Sequence, residues 1–243
     1  MTEEIKHIVI VRLALKWRYK ELNKKWDEWL ENSIYLMDKY CRPSLLNQKN
    51  KNFDILTLVD SCVNYYGNKL DNEYILKFDS ENDLNTIWEG YKNCQMIKTI
   101  NDHVYKNYKN YNYVLLTRLD RDDIIRYDFL ENVRKNIKIF DEQYIDTNMV
   151  YHLKNDIIYK CDKYIEGKMI SPFVSTLEKI ENGKIKCYPF FKSHTETKKF
   201  LNGLKFKNLN AIQVLHDNNF SNTLKNFEEL NNIKIEDYGI KKQ

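Results

Sequence analysis

The sequence predicts an α/β protein of a single domain, an open sheet flanked by helices with a parallel front half, and three observations predict it. Short apolar runs bounded by polar residues recur at 8–13 (IVIVRL), 53–59 (FDILTLV), 74–78 (YILKF) and 113–116 (YVLL), lengths that suit interior strands. The stretch between the first two has a helical period, and strand, helix, strand in that order implies right-handed crossovers onto a parallel sheet. No Pro-, Gly- or Ser-rich linker divides the 243 residues, so one unit is expected over 1–243.

Taken in order, the run at 8–13 is a buried first strand ending near Arg12. Trp26, Trp29, Leu30, Met37, Tyr40, Cys41 and Leu45 then repeat with helical spacing, and Pro43 should kink or end that helix. The second strand closes on Asp60 and the third on Asp79. A long helix is expected from Asp83 to about Val104, with Leu84, Ile87, Trp88, Tyr91 and Cys94 on one face, delivering the chain to the strand at Tyr113. Asp128 reads as the cap of a further helix carrying Phe129, Leu130, Val133 and Ile137. Past Ile139 the pattern changes to extended pieces at 144–149, 157–159, 185–191 and 211–215. Ser171-Pro172 resembles an N-cap and first helical residue, so a short helix is expected at 173–180. The second half is a mixed region of strands and loops.

Composition narrows the class. Hydrophobic residues make up 42% and aromatic residues 14% of the chain, enough for a packed core and too many for disorder. The formal net charge of +4 comes from 39 basic and 35 acidic residues interspersed, which defines no nucleic-acid surface. The local basic excess at Lys198, Lys199, Lys205 and Lys207 reads first as a solvated face and second as a contact for an anionic acceptor. Glu3 and Glu4 stand where a signal peptide would be basic, and Arg12 cuts the first apolar run, so a soluble, cytoplasmic protein with no transmembrane segment is expected. Five cysteines, Cys41, Cys62, Cys94, Cys161 and Cys187, are odd in number and lack a CxxC pair. Neither a disulfide framework nor a zinc site is expected of them.

The most informative stretch is Tyr113 to Asp123, YVLLTRLDRDD, in which a buried-strand pattern runs into Asp120, Asp122 and Asp123. Ligands of open α/β sheets bind beyond the carboxyl ends of the strands. A divalent cation held there by one or two carboxylates and completed by phosphate oxygens and water is usual chemistry for such a position. An acidic turn can equally be solvated, capping the next helix.

HIVIVRLAL, WLENSIYLMDKYCRPSLLNQ, FDILTLVD, LLTRLDRDD followed by FLENVRKN, SPFVSTLEK and AIQVLHDNNFSN occur in an order that resembles the rhamnosyltransferase family of GT-A-type glycosyltransferases. The resemblance covers roughly residues 7–222, and YCRPSLLNQ, TRLDRDD and VLHDNNFSN are its most specific parts. It implies a GT-A-like, Rossmann-related fold with a nucleotide-sugar-binding half over about 1–125 and an acceptor-binding half over about 126–243. It implies Mn²⁺ or Mg²⁺ as cofactor, a UDP-, dTDP- or GDP-sugar as donor and a glycan or glycoconjugate as acceptor. Asp120 is then assigned to donor ribose or metal, Asp122 to direct metal ligation, Asp123 to a sugar hydroxyl or the metal's surroundings, and Arg118 to the donor. Asp60 resembles the acid that reads base or ribose, and Arg12 lies near base or phosphate; an ion pair at the strand ends is the alternative for both. The resemblance brings the late His216 back to the metal or diphosphate, with Ser221 and Asn222 as phosphate donors. An inverting reaction needs a general base, for which Glu178 and Asp217 compete, and Glu178, in SPFVSTLEK on the acceptor side, is favoured over Asp217, whose place beside His216 suits orienting it.

The implied function is metal-dependent transfer of a sugar, rhamnose by the family's name, from a nucleotide diphosphate to a glycan hydroxyl in polysaccharide biosynthesis. Two other readings stay open: an inactive GT-A-fold glycan-binding or assembly protein, and a metal-dependent nucleotidyl or phosphodiester enzyme, which would need more clustered carboxylates.

Overall fold

The structure, a computed structural model, describes residues 5–16, 25–81, 94–138, 142–161, 164, 169–190, 194–216 and 228–241. Nine strands make one sheet: β1 (Ile5–Ala14), β2 (Asp54–Asp60), β3 (Glu73–Phe78), β4 (Tyr113–Asp120), β5 (Ile124–Ile125), β6 (Gln143–Lys154), β7 (Ile157–Lys160), β8 (Ser175–Lys179) and β9 (Asn202–Val214). Their order is β3-β2-β1-β4-β8-β6-β9-β5, with β7 on β6. β1 pairs in parallel with β2 on one side and β4 on the other, and β2 with β3. β8 runs antiparallel to both β4 and β6, and β6 is parallel to β9. The carboxyl ends of β1, β2, β3, β4, β6 and β9 therefore share one edge. The first β-strand lies between β2 and β4, so the chain changes direction across β1, and β1/β4 is the crevice where this topology receives ligands.

β1, β2 and β4 are buried on both faces, as interior strands of a parallel sheet require, while β3 at the edge is part exposed. Val9, Val11, Leu13, Ile55, Val59, Leu115 and Leu119 pack against Trp29, Ile34, Met37, Leu45, Phe129 and Leu130. Ile8, Ile10, Leu56, Leu58, Val114 and Leu116 meet Met96, Ile97, Ile100 and Val104 on the other face. The latter belong to α3 (Gln95–Tyr108), which begins after an extended Cys94 and runs past Val104, so Cys94 is not on the face of one continuous helix from Asp83; residues 82–93 lie outside the described ones. Across the core His7 Nε2 is 2.9 Å from Thr117 Oγ1, which is 2.8 Å from Ser175 Oγ, so a polar thread links β1, β4 and β8. Burial, with the charges of Arg134 and Lys6, pushes His7 down to about 3, keeping it neutral.

Pro43 does not end the first helical segment. α1 (Trp26–Leu36) passes through a π-helical turn, Met37–Cys41, into α2 (Arg42–Leu46), with Pro43 in the first turn of α2. A wider turn before proline relieves the clash between its ring and the carbonyl four residues back. Arg42 then reaches β3, its Nε and Nη2 donating to Glu73 at 2.9 and 2.8 Å. Glu73 also accepts from Thr57 Oγ1 at 2.7 Å and Leu70 N at 3.0 Å. The YCRPSLLNQ motif thus begins as a clamp holding helix to sheet.

α4 (Phe129–Lys135) follows Asp128 as expected, but the cap comes from elsewhere. Both Asp128 oxygens accept from Arg126 at 2.7 Å, while the Leu130 amide donates to Gln48 Oε1 at 3.1 Å. Gln48 Nε2 in turn donates to the carbonyls of Ser44 and Arg126 at 3.0 and 2.8 Å. The end of YCRPSLLNQ therefore fixes the segment just after the acidic turn.

The helix expected at 173–180 is strand β8, and the extended piece expected at 185–191 contains a 3-10 turn at Tyr188–Phe190. Ser171 does not cap a helix; its amide donates to the buried Asp146 at 3.2 and 3.0 Å, and its hydroxyl donates to the same carboxylate. Lys205, read in the sequence as part of a basic face, is an ion-pair partner of Asp146 at 3.2 Å. All five cysteines are free thiols, four buried and Cys62 exposed. Among the described residues no helix is long and apolar enough to cross a membrane.

Candidate active site

Asp120 ends β4 and faces Arg12, two residues before the end of β1, in register. Arg12 Nε and Nη2 donate to the two Asp120 oxygens at 2.8 and 2.9 Å, a bidentate pair, the strongest geometry for this ion pair. Arg118 Nη2 adds a third donor at 2.8 Å, and its Nη1 donates to the Pro172 carbonyl at 2.7 Å. SPF thus serves the site by orienting Arg118, a role its sequence does not announce. Burial and the like charge of Arg12 lower the Arg118 pKa, and Asp120 and Asp123 oppose them.

The chain turns directly after Asp120, with the Asp123 amide donating to the Asp120 carbonyl at 3.1 Å. Arg121 stacks over the Trp29 ring at 4.7 Å, which anchors the turn to α1. Asp122 points to the late segment of the chain: His216 Nε2 lies 2.8 Å from its Oδ2. Ninety-four positions separate the two in sequence, and β9 carries His216 back to the shared edge, where the Leu215 amide donates to the Leu153 carbonyl at 2.8 Å. Burial pushes the Asp122 carboxyl up, but the His216 hydrogen bond and the Arg121 charge outweigh it and hold the group below its ordinary value. Asp123 differs. Burial and the charges of Asp122 and Asp120 push it well up, and its Oδ2 is buried with no hydrogen-bond partner among the described residues.

Asp60 lies at the same edge, tied into the protein. Cys62 N donates to its Oδ1 at 3.0 Å, Ser80 N and Oγ donate to Oδ2 at 3.1 and 2.6 Å, and Lys16 Nζ stands 3.8 Å from Oδ1. Burial raises its pKa and these hydrogen bonds more than offset the rise. Asp60 joins the ends of β1, β2 and β3 through these contacts.

Glu178 is not brought to this edge. It is opposite Val114 on β4, so six strand residues, roughly 20 Å at ~3.3 Å each, separate it from Asp120. It is fully buried, accepting from Thr176 Oγ1 at 2.6 Å, Cys187 N at 2.6 Å and Tyr188 N at 2.9 Å. A base must reach the attacking hydroxyl directly or through one water, which this position does not allow. Asp217, Ser221 and Asn222 lie outside the described residues.

The cation that the resemblance implies can be tested against the side chains present. Among the described residues no three His, Cys, Asp or Glu side chains converge as a metal set. Asp122 Oδ2 and His216 Nε2 nevertheless fit as two of the ligands. Their 2.8 Å separation is close to the roughly 3 Å between neighbouring ligands of an octahedral ion with ~2.1 Å bonds, and substrate oxygens and water commonly complete such a shell.

A sheet with its front half wound in parallel presents an acidic turn and two arginines at the β1/β4 crevice, an open α/β architecture with its charged groups gathered at the strand ends. The profile of the family described as "Putative rhamnosyl transferase" matches residues 16–223, and the chain belongs to that family. Among solved structures, S. aureus TarS is similar over 86% of this chain and 37% of its own, at 11% identity and a TM-score of 0.44. TarS 1-349 is similar at 17% identity, covering 59% of this chain and 35% of that one (TM-score 0.34), and its complex with UDP at 15%, covering 62% and 37% (TM-score 0.33). The chain thus spans little more than a third of those structures. No curated protein matches it.

Proposed function

We propose that the protein moves a sugar from a nucleotide diphosphate donor to a hydroxyl of a glycan, with a divalent cation held by Asp122 and His216. The observation that supports this reading is the Asp122–His216 contact, formed at the strand-end crevice by residues from opposite halves of the chain. A cation bound there supplies positive charge to the diphosphate leaving group. Arg12 and Arg118 place two guanidiniums beside the same crevice, suited to hold phosphate oxygens. Asp123, with one oxygen buried and unpaired among the described residues, is suited to a sugar hydroxyl. Of the two candidate bases, Asp217 follows His216 directly in sequence and Glu178 lies far from the crevice, so Asp217 is the one the reading retains. The donor half ends near β4, and β6 to β9 supply the acceptor side.

The test is turnover of a panel of nucleotide sugars by the full chain with Mn²⁺, with and without a glycan acceptor. Release of free nucleoside diphosphate with sugar gained by the acceptor, abolished by chelation, is expected. Release of pyrophosphate or nucleoside monophosphate would favour the nucleotidyl or phosphodiester reading. Glycan binding without donor turnover would favour an inactive binding protein.

A further inference from the structure

We propose that Asp120 is a positioning residue, the counter-ion that aims Arg12 and Arg118 at the donor diphosphate, and that it does not ligate the cation. The inference rests on the proposed nucleotide-diphosphate donor and refines which acid does what. Both Asp120 oxygens are already taken by three N–H donors, two from Arg12 and one from Arg118. A cation on those oxygens would stand against two guanidinium charges at hydrogen-bond distance. At Asp122 the partner is instead an imidazole, a group that ligates metals when neutral. The acids two residues apart therefore differ in their direct partners: guanidinium donors hold both Asp120 oxygens, whereas Asp122 Oδ2 meets an imidazole and Arg121 acts on it through its charge.

The same contacts show what Asp120 does for the arginines. Two positive charges and one negative leave the trio cationic, with side chains only 12%, 5% and 15% exposed for Arg12, Arg118 and Asp120. Arg12 spends Nε and Nη2 on the carboxylate, which fixes the plane of its guanidinium, and Nη1 has no protein acceptor among the described residues. Arg118 is fixed at its other end by the Pro172 carbonyl. Two like charges are thereby held side by side at the mouth of the β1/β4 crevice, ready for an anion whose oxygens can bridge them. Without the counter-ion they would separate, and ordering two long side chains would fall on the ligand.

The experiment measures two affinities on the full chain: Mn²⁺ binding to nucleotide-free protein by electron paramagnetic resonance, and inorganic pyrophosphate binding in EDTA by calorimetry. Asp120→Asn is expected to keep Mn²⁺ affinity within about twofold while weakening pyrophosphate about tenfold. Asp122→Asn should do the reverse. In an Arg12→Gln background, which itself weakens pyrophosphate about tenfold, Asp120→Asn should cost less than in the wild type, because part of its effect runs through Arg12. Loss of Mn²⁺ binding in Asp120→Asn as severe as in Asp122→Asn, or pyrophosphate binding unchanged by it, overturns the proposal. Should Asp120→Asn fail to fold, Arg12→Gln decides: weakened pyrophosphate with Mn²⁺ retained supports the clamp, and unchanged pyrophosphate overturns it. Wild-type protein that binds no Mn²⁺ refutes the metal assigned to Asp122 and His216, while the pyrophosphate measurements still decide the role of Asp120.

Discussion

Asp122 is buried yet holds its charge, because His216 and Arg121 outweigh the cost of desolvation. Asp122→Asn keeps the shape and removes the charge, so turnover should fall roughly 10³-fold, the several kcal/mol a catalytic metal supplies. His216→Ala should weaken Mn²⁺ and nucleoside diphosphate together; if it only lowers the melting temperature and leaves metal affinity intact, His216 is structural. Glu178 makes the opposite case. Burial outweighs its three hydrogen bonds and lifts its carboxyl from 4.5 to about 7. The folded protein then binds the proton more tightly than the unfolded chain, so this stabilisation is complete below pH 4.5 and is lost as pH rises towards 7. Urea titrations across that window should show the wild type losing stability relative to Glu178→Gln, with turnover per folded molecule unchanged in the variant. A fall of about 10²–10⁴-fold in that turnover would restore Glu178 as the base. The sequence showed which residue types could carry the chemistry. Only the register of β8 against β4 shows that Glu178 is at the wrong end of its strand.

At the level of elements, the buried Arg42–Glu73 pair couples α2 to β3 and so holds one wall of the sheet. Removing one partner of a buried pair leaves a charge without compensation, typically about 3–5 kcal/mol. Arg42→Met should destabilise by that order, while Arg42→Met with Glu73→Gln should recover a part of it, as measured by denaturant midpoints. A double variant no better than the sum of the singles would show that the pair is not coupled. The front strands were legible because each is a short apolar run, with helices between β1 and β2 and between β3 and β4, a pattern that a parallel sheet produces, although β2 and β3 are joined without one. β8 was not. Ser175 to Glu178 are buried on both faces, so no alternation marks a strand, and Ser171-Pro172 imitates a helix start. The first half of β9 does alternate, Leu204 and Phe206 against Lys205 and Lys207, but the lysines disguised it as a charged surface. The distant cap that Gln48 gives α4 is invisible in principle, since capping rules read only neighbours along the chain.

For the whole molecule, the two halves proposed to bind donor and acceptor share one sheet, because β4 pairs with β8 along Tyr113 to Thr117. A ligand at the crevice therefore touches β1, β4 and the chain after β9 at once, and it should stabilise the protein as a unit. A ligand that binds only the native state adds about 2.7 kcal/mol at one hundred times its dissociation constant. For a domain of this size that corresponds to a rise in melting temperature of roughly 5–10 °C. We expect a rise of that order with one class of nucleoside diphosphate and Mn²⁺ together, and a much smaller one with either alone, because each supplies oxygens or charge that the other lacks. Running UDP, dTDP and GDP side by side would then identify the base through the extent of the shift, before any acceptor is known. Asp122→Asn should abolish the added effect of Mn²⁺ while leaving the metal-free shift intact, since Arg12 and Arg118 remain. If no nucleoside diphosphate moves the transition with Mn²⁺ at saturating concentration, the crevice is not a donor site, and the nucleotide reading fails for the protein as a whole.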